Sequence, residues 1–156
     1  MKCLFLAIAL IAGCAAGARA ADDAVVIDGL VKHKLTLAAG DLRAMPSQTR
    51  EVSFQTDHGP QKATYTGVLL WAVVARAEID DGAKFGELHH VMAITGKDGY
   101  LVMFSLGEID PNFGQAPVMI AYERNGQPIP GGLRLVVPGD VHGARDIRDL
   151  AHIEIR

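Results

Sequence analysis

Cysteine is the first scarcity. The 156-residue chain has two, Cys3 and Cys14, both within its first twenty residues. Those twenty, MKCLFLAIALIAGCAAGARA, have the layout of an export signal. Lys2 gives a positive start, Cys3 to Ala12 an apolar stretch, and Ala18-Arg19-Ala20 a small-x-small cleavage site. Cleavage after Ala20 predicts a single mature domain of residues 21–156 without a thiol. Such a product has no disulfide, no cysteine nucleophile and no thiolate metal ligand. A second processing route stays open. Ile11-Ala12-Gly13-Cys14 also has the pattern of a lipobox, in which Cys14 becomes the lipidated first residue. The expected location is periplasmic, with a lipoprotein anchored at Cys14 as the alternative.

Positive charge is also short. Fifteen basic residues face 18 acidic ones, for a net charge of -3, and loss of Lys2 and Arg19 takes the balance to -5. That argues against a nucleic-acid partner, which usually meets a basic face. Long apolar runs are missing. The signal's run falls short of the roughly 20 residues a bilayer demands, and no later segment qualifies, so the mature chain is expected to have no transmembrane helix. Metal motifs are missing too. No HExxH run occurs, and His89 and His90, as strand neighbours, point to opposite faces and cannot share a metal.

What remains reads as many short strands. AVVIDGLV alternates and bends at Gly29. TLAAGDLRAMP suggests a short helix stopped by Pro46. REVSFQT, with Val52 and Phe54 inward, and QKATYTG read as partner strands. Thr66 is then expected to cap a helix over GVLLWAVVARAEI, apolar at 69, 70, 73, 74 and 77. HHVMAIT and YLVMFSL flank Lys97-Asp98-Gly99, a hairpin signal. APVMIAYE and LRLVVPG flank Asn125-Gly126, and AHIEIR closes the chain as a strand. The fold class expected is α+β, mainly β, with few short helices.

Chemistry concentrates at PGDVHGARDIRDL, residues 138–150. Glycines let backbone N–H groups approach an anion. His142, Gly143, Arg145 and Arg148 could grip a phosphate or the edge of a flat polar heterocycle. The plainer alternative is a solvated turn in which Arg145 pairs with Asp146 or Asp149. Thr56, Asp57 and His58 end a strand at a loop, where sites often sit, though an ordinary Asp-His-Gly turn is the plainer reading. Trp71, the only tryptophan, and Tyr122 could stack on a ring, or simply pack. Tyr122-Glu123-Arg124 also reads as strand-edge polarity.

From Thr49 onward the motif order resembles the molybdopterin-binding domain of the sulfite oxidase family. The strongest part is IAYERNGQPIPGGLRLVVPGDVHGARDIRDLAHIEI, which matches an A-Y-x-x-N-G-x-P-L-P run, then P-x-R-x-V-V-P-G, then G-A-R-x-V-K. YTGVLLWAVV and GKDGYLVMFSLGEI resemble two further family segments. The resemblance implies the sulfite oxidase-like fold and a bound pterin. It implies that the basic 142–148 segment helps hold the pterin and its phosphate, with Arg145 at the family arginine and Arg148 where a lysine is usual. Where the family has its molybdenum-binding cysteine, SFQTDHG puts Thr56, at or beside that place, and the family's Asn-Arg-Arg continuation is absent. A hydroxyl is a poor substitute for thiolate at a soft metal.

A small exported member without the cysteine resembles periplasmic pterin-binding signalling proteins. The function implied is a pterin binder, molybdopterin-like or reduced, without molybdenum and without catalytic residues. It would serve as a sensor or accessory to a membrane-bound signalling partner such as a cyclic-di-GMP enzyme. The alternative is a molybdenum-cofactor oxidoreductase or a subunit of one.

Overall fold

A computed structural model describes residues 23–80, 82 and 85–156. The expected signal, with Cys3 and Cys14, lies outside these residues. Ten strands and three short α-helices run along the described chain.

Strand β1 (Val25–Gly29) buries Val25 and Ile27 by simple alternation and ends at Gly29. That glycine has φ of 92° and lies against the Ile155 backbone, so a Cβ has no room there. β2 (Leu35–Leu37) folds back antiparallel on β1. The short helix α1 (Ala39–Arg43) starts where the Asp41 carboxylate accepts the Ala38 N–H at 2.8 Å. β3 (Gln48–Thr56) and β4 (Gly59–Leu69) then form one long hairpin, in register from Gln48 opposite Gly67 to Thr56 opposite Gly59.

The expected helix cap at Thr66 is not made. Residues 67–69 continue β4, and helix α2 spans Leu70–Ala77 with no side-chain cap. The reason is tertiary. The Thr66 hydroxyl meets that of Thr49 at 3.0 Å across the hairpin, and Gly67 allows the chain to lie against the Ile120–Ala121 backbone. The helical spacing holds further on, since Leu70, Val73, Val74 and Ala77 are all buried. His89 belongs to a 3₁₀ turn, Gly86–His89, rather than to a strand.

β5 (Val91–Gly96) and β6 (Leu101–Ser105) form the hairpin expected at Asp98-Gly99. Gly99 takes φ of 83° and Asp98 accepts the Tyr100 N–H at 2.9 Å. α3 (Leu106–Ile109) follows directly. β7 (Met119–Arg124) turns at Asn125-Gly126, both at positive φ, into the short β8 (Gln127–Pro128). β9 (Arg134–Val136) returns along β7, and β10 (Leu150–Ile155) closes the chain beside β1, in parallel.

Two sheets result. One has the order β2-β1-β10-β5-β6; the other runs β3-β4-β7-β8, with β9 also on β7. The larger core packs the helices and the apolar side of the first sheet against residues such as Val68, Ile120 and Leu135 of the second. A smaller core of Val52, Ala63, Tyr65, Met119, Ala121 and Val136 gathers Phe54 and Ile129 at its margin. The architecture is the mainly β, α+β single domain expected. The segment 138–149 leaves β9 and crosses to the end of β3 before entering β10.

Candidate functional site

The crossing is held by backbone. The Gln55 N–H donates to the Val141 carbonyl at 2.8 Å, and Gln55 bridges His142 in parallel. Behind the turn, Leu135 and Ile147 exchange backbone hydrogen bonds. The Tyr100 hydroxyl donates to the Ala144 carbonyl at 2.6 Å, tying the turn to the β5–β6 hairpin as well. Gly143 begins a 3₁₀ turn, Gly143–Arg145, and sits on the Phe54 ring. A Cβ there would lie 2.5 Å from ring carbon Cδ2, so glycine is needed for the two segments to touch.

Three hollows surround the crossing. The first, about 360 Å³, is lined by Gln55, Thr56, Asp57, His142, Gly143 and Ala144. The second, about 290 Å³, adds Phe54, Asp98, Tyr100, Arg134, Asp146 and Arg148 to Thr56, Gly143 and Ala144. A third, about 360 Å³, shares Arg134 and Arg148 with the second. The chain therefore brings Thr56, Asp57, His142, Gly143 and Arg148 together from segments 85 to 92 residues apart in sequence.

Other expected site residues lie elsewhere or are engaged. The Thr56 hydroxyl donates to the Gly59 carbonyl at 2.9 Å and accepts the His58 N–H at 3.2 Å, so it stabilises the Asp57-His58 turn. His58 is exposed and lines none of the three hollows. Trp71 is half-buried in a separate hollow with Arg50, Leu69 and Ile109. Tyr122 is buried, with the Arg43 guanidinium 4.6 Å from its ring centre. Arg145 is gripped by both oxygens of Asp140, at 2.8 and 2.6 Å, and by Glu108 at 2.9 Å, and lies 4.8 Å over the Phe104 ring. The partners are thus not Asp146 or Asp149. The Asp140 bonds raise its pKa above the ordinary guanidinium value, against the opposing effect of burial, with Glu108 adding to the rise. Arg145 fixes the turn and lines none of the three hollows.

Arg134 is the residue that sequence reasoning left out of the site. It stood only as a match within the LRLVVPG motif. Its side chain is 14% exposed, reaches Asp146 at 3.3 Å, and lies 5.7 Å from the Tyr65 ring centre. Its Nε is buried with no hydrogen-bond partner. Asp146 accepts the Val137 N–H at 2.9 Å; burial pushes its carboxyl pKa up, against the pull of that N–H and of Arg134. Arg148 is exposed, and its side chain has no hydrogen bond or ion pair among the described residues. The site therefore offers two cations that line the same hollows, Arg134 tied to Asp146 and Arg148 without a side-chain partner among the described residues. Such a pair is suited to an oxyanion. Among the described residues no cluster of His, Cys, Asp and Glu could hold a metal ion.

Comparison with known proteins bears on the family and the fold. The family model described as oxidoreductase molybdopterin binding domain matches residues 16–156. The sulfane dehydrogenase SoxCD from Paracoccus pantotrophus, a crystal structure, superposes with a TM-score of 0.71 at 20% identity. The match covers 90% of this chain and 40% of that one, so this chain spans less than half of that protein's length. At that identity the likeness concerns the fold. No curated protein matches.

Proposed function

Because the chain belongs to the oxidoreductase molybdopterin-binding domain family and has its sulfite oxidase-like fold, we propose that it binds a pterin at the Arg134–Arg148 hollows and holds no redox metal. The observation that carries this is the arginine pair. The Arg134 and Arg148 guanidinium groups, which line the same two hollows, fit the phosphate of a pterin tail. Gln55, Asp57 and His142 supply polar groups for a heterocycle edge in the adjoining hollow. Tyr100, 48% exposed and lining the same hollow as the arginines, offers the ring face that Trp71 and Tyr122 do not bring there.

Donor chemistry supports the metal-free form. Thr56 occupies or adjoins the place of the family thiolate, and its hydroxyl already has both a donor and an acceptor partner. A neutral hydroxyl does not replace thiolate at a soft metal. A metal-loaded molybdopterin supplies redox chemistry when bound, whereas a pterin alone supplies a heterocycle whose presence can be reported. We place the protein in the periplasm as a sensor or accessory of a membrane-bound signalling partner, on the strength of the signal-like first twenty residues and the missing thiol.

A second reading, an oxidoreductase domain or subunit, is favoured by the family description and by the fold shared with a sulfane dehydrogenase. It requires another chain to supply the metal's missing ligand. Fluorescence titration with a phosphorylated reduced pterin separates specific binding from none. Arg148→Gln is expected to weaken binding by about 1–3 kcal/mol, the worth of a charge-assisted contact. Unchanged affinity in that variant contradicts the site.

A further inference from the structure

The third hollow extends past the arginine pair. It is lined by Arg124, Ile129, Pro130, Arg134, Arg148 and Asp149. Arg124 comes there through an irregularity in the sheet. Tyr65 pairs with Arg124, yet Gly67 pairs with Ala121, so two steps along β4 match three along β7. Side chains alternate along a strand, and in a regular strand Arg124, three positions from Ala121, would share the face of Tyr122. The bulge turns it to the face of Tyr65, where Arg134 also lies.

Three guanidinium groups then share a hollow with one carboxylate, Asp149. The Arg124 side chain is exposed and, like that of Arg148, has no hydrogen bond or ion pair among the described residues. Cations collected this way repel one another until an anion joins them. Arg134 and Arg148 line both the second and the third hollow, whereas Arg124, Ile129 and Pro130 line only the third, so a monophosphate at the junction has its two arginines without them. A second phosphoryl group, linked to the first and continuing into the hollow, meets Arg124. Resting on the pterin reading above and extending it, we infer that the site takes a diphosphate ester, with Arg124 holding the outer phosphoryl group and Ile129 and Pro130 supporting the substituent beyond.

Calorimetric titration of the full chain with inorganic phosphate and with pyrophosphate, at matched ionic strength, tests this. Pyrophosphate is expected to bind at least about tenfold more tightly, the equivalent of one charge-assisted contact. Arg124→Gln, a change at an exposed position, is expected to remove most of that advantage and to leave phosphate affinity unchanged. Far-UV circular dichroism checks that the variant is folded. Equal affinity for the two anions, or equal weakening of both by Arg124→Gln, overturns the diphosphate inference. In that event an Arg148→Gln variant that still loses phosphate leaves the pterin reading standing. Loss of neither anion in Arg148→Gln overturns both.

Discussion

Gly143→Ala puts the docking of the basic turn on β3 to a quantitative test. The added methyl carbon would stand 2.5 and 2.6 Å from two carbons of the Phe54 ring. Carbon atoms in contact ordinarily sit about 3.5–4.0 Å apart, so roughly 1 Å of displacement is required. Phe54 is half-buried, with one side against the smaller core, so the ring can yield only partly. The backbone of the turn cannot recede freely either, because Gln55 and Tyr100 hold it by hydrogen bonds. Overpacking of this kind costs about 1–3 kcal/mol. For a domain of this size that is a fall in Tm of roughly 2–10 °C. The assay is urea unfolding of four proteins, namely the parent, Gly143→Ala, Phe54→Ala and the double variant. If the clash is the cause, removing the ring relieves it, and the double variant is more stable than the sum of the single effects implies. A Gly143→Ala protein within about 0.5 kcal/mol of the parent, the range of an ordinary surface change, refutes the reasoning. So does a double variant whose two costs simply add.

Three further outcomes follow from the same contacts. Arg145→Ala is expected to lose about 1–2 kcal/mol of stability, a figure kept low because the side chain is 37% exposed, and to weaken pterin binding less than Arg148→Gln does; the reverse order in a titration would mean that Arg145 touches the ligand. His152 at 2.6 Å and Lys34 at 3.0 Å hold the Asp28 carboxyl below its ordinary pKa of 3.8, so its stabilising effect is present above that value and lost as pH falls through the lower, folded-state value. Asp28→Asn should therefore cost about 0.5–1 kcal/mol near neutral pH and progressively less in acid, and a cost that grows in acid contradicts the pairing. Burial raises the Asp146 pKa, so stability falls as pH rises from the ordinary aspartate range through the raised value. Asp146→Asn should flatten that fall in urea titrations and, by releasing Arg134, tighten phosphate binding; weaker phosphate binding counts against Arg134 as an anion donor.

Much of the fold was legible because its signals are local. Alternation set the strands, and Asp98-Gly99 and Asn125-Gly126 set their turns at positive φ. The failures arose where distant segments decide. Thr66 has a good capping side chain, but the partner strands at Thr49 and Ile120 keep residues 67–69 in the ladder. The site divides in the same way. Gly143, His142 and Arg148 stood out as a charged glycine-rich run, while their meeting with Thr56 is set by the crossing to the end of β3. That Arg145 spends its charge on Asp140 and Glu108 was not readable, since Glu108 lies 37 residues away. Arg134 carried only the signal of a motif position, because an arginine in a three-residue apolar strand shows its importance only when its burial and its unpartnered Nε are known. Arg124 needed the bulge, which depends on pairing between two strands.

The central claim, a pterin held without a redox metal, is tested most directly on protein purified from its native compartment after growth with ample molybdate. Anaerobic denaturation releases whatever is bound, for mass spectrometry and for metal analysis of the same sample. The account predicts a phosphorylated pterin and no stoichiometric molybdenum. Molybdopterin with molybdenum in equal amount contradicts it and returns the chain to oxidoreductase chemistry, with the source of the missing thiolate as the question to answer.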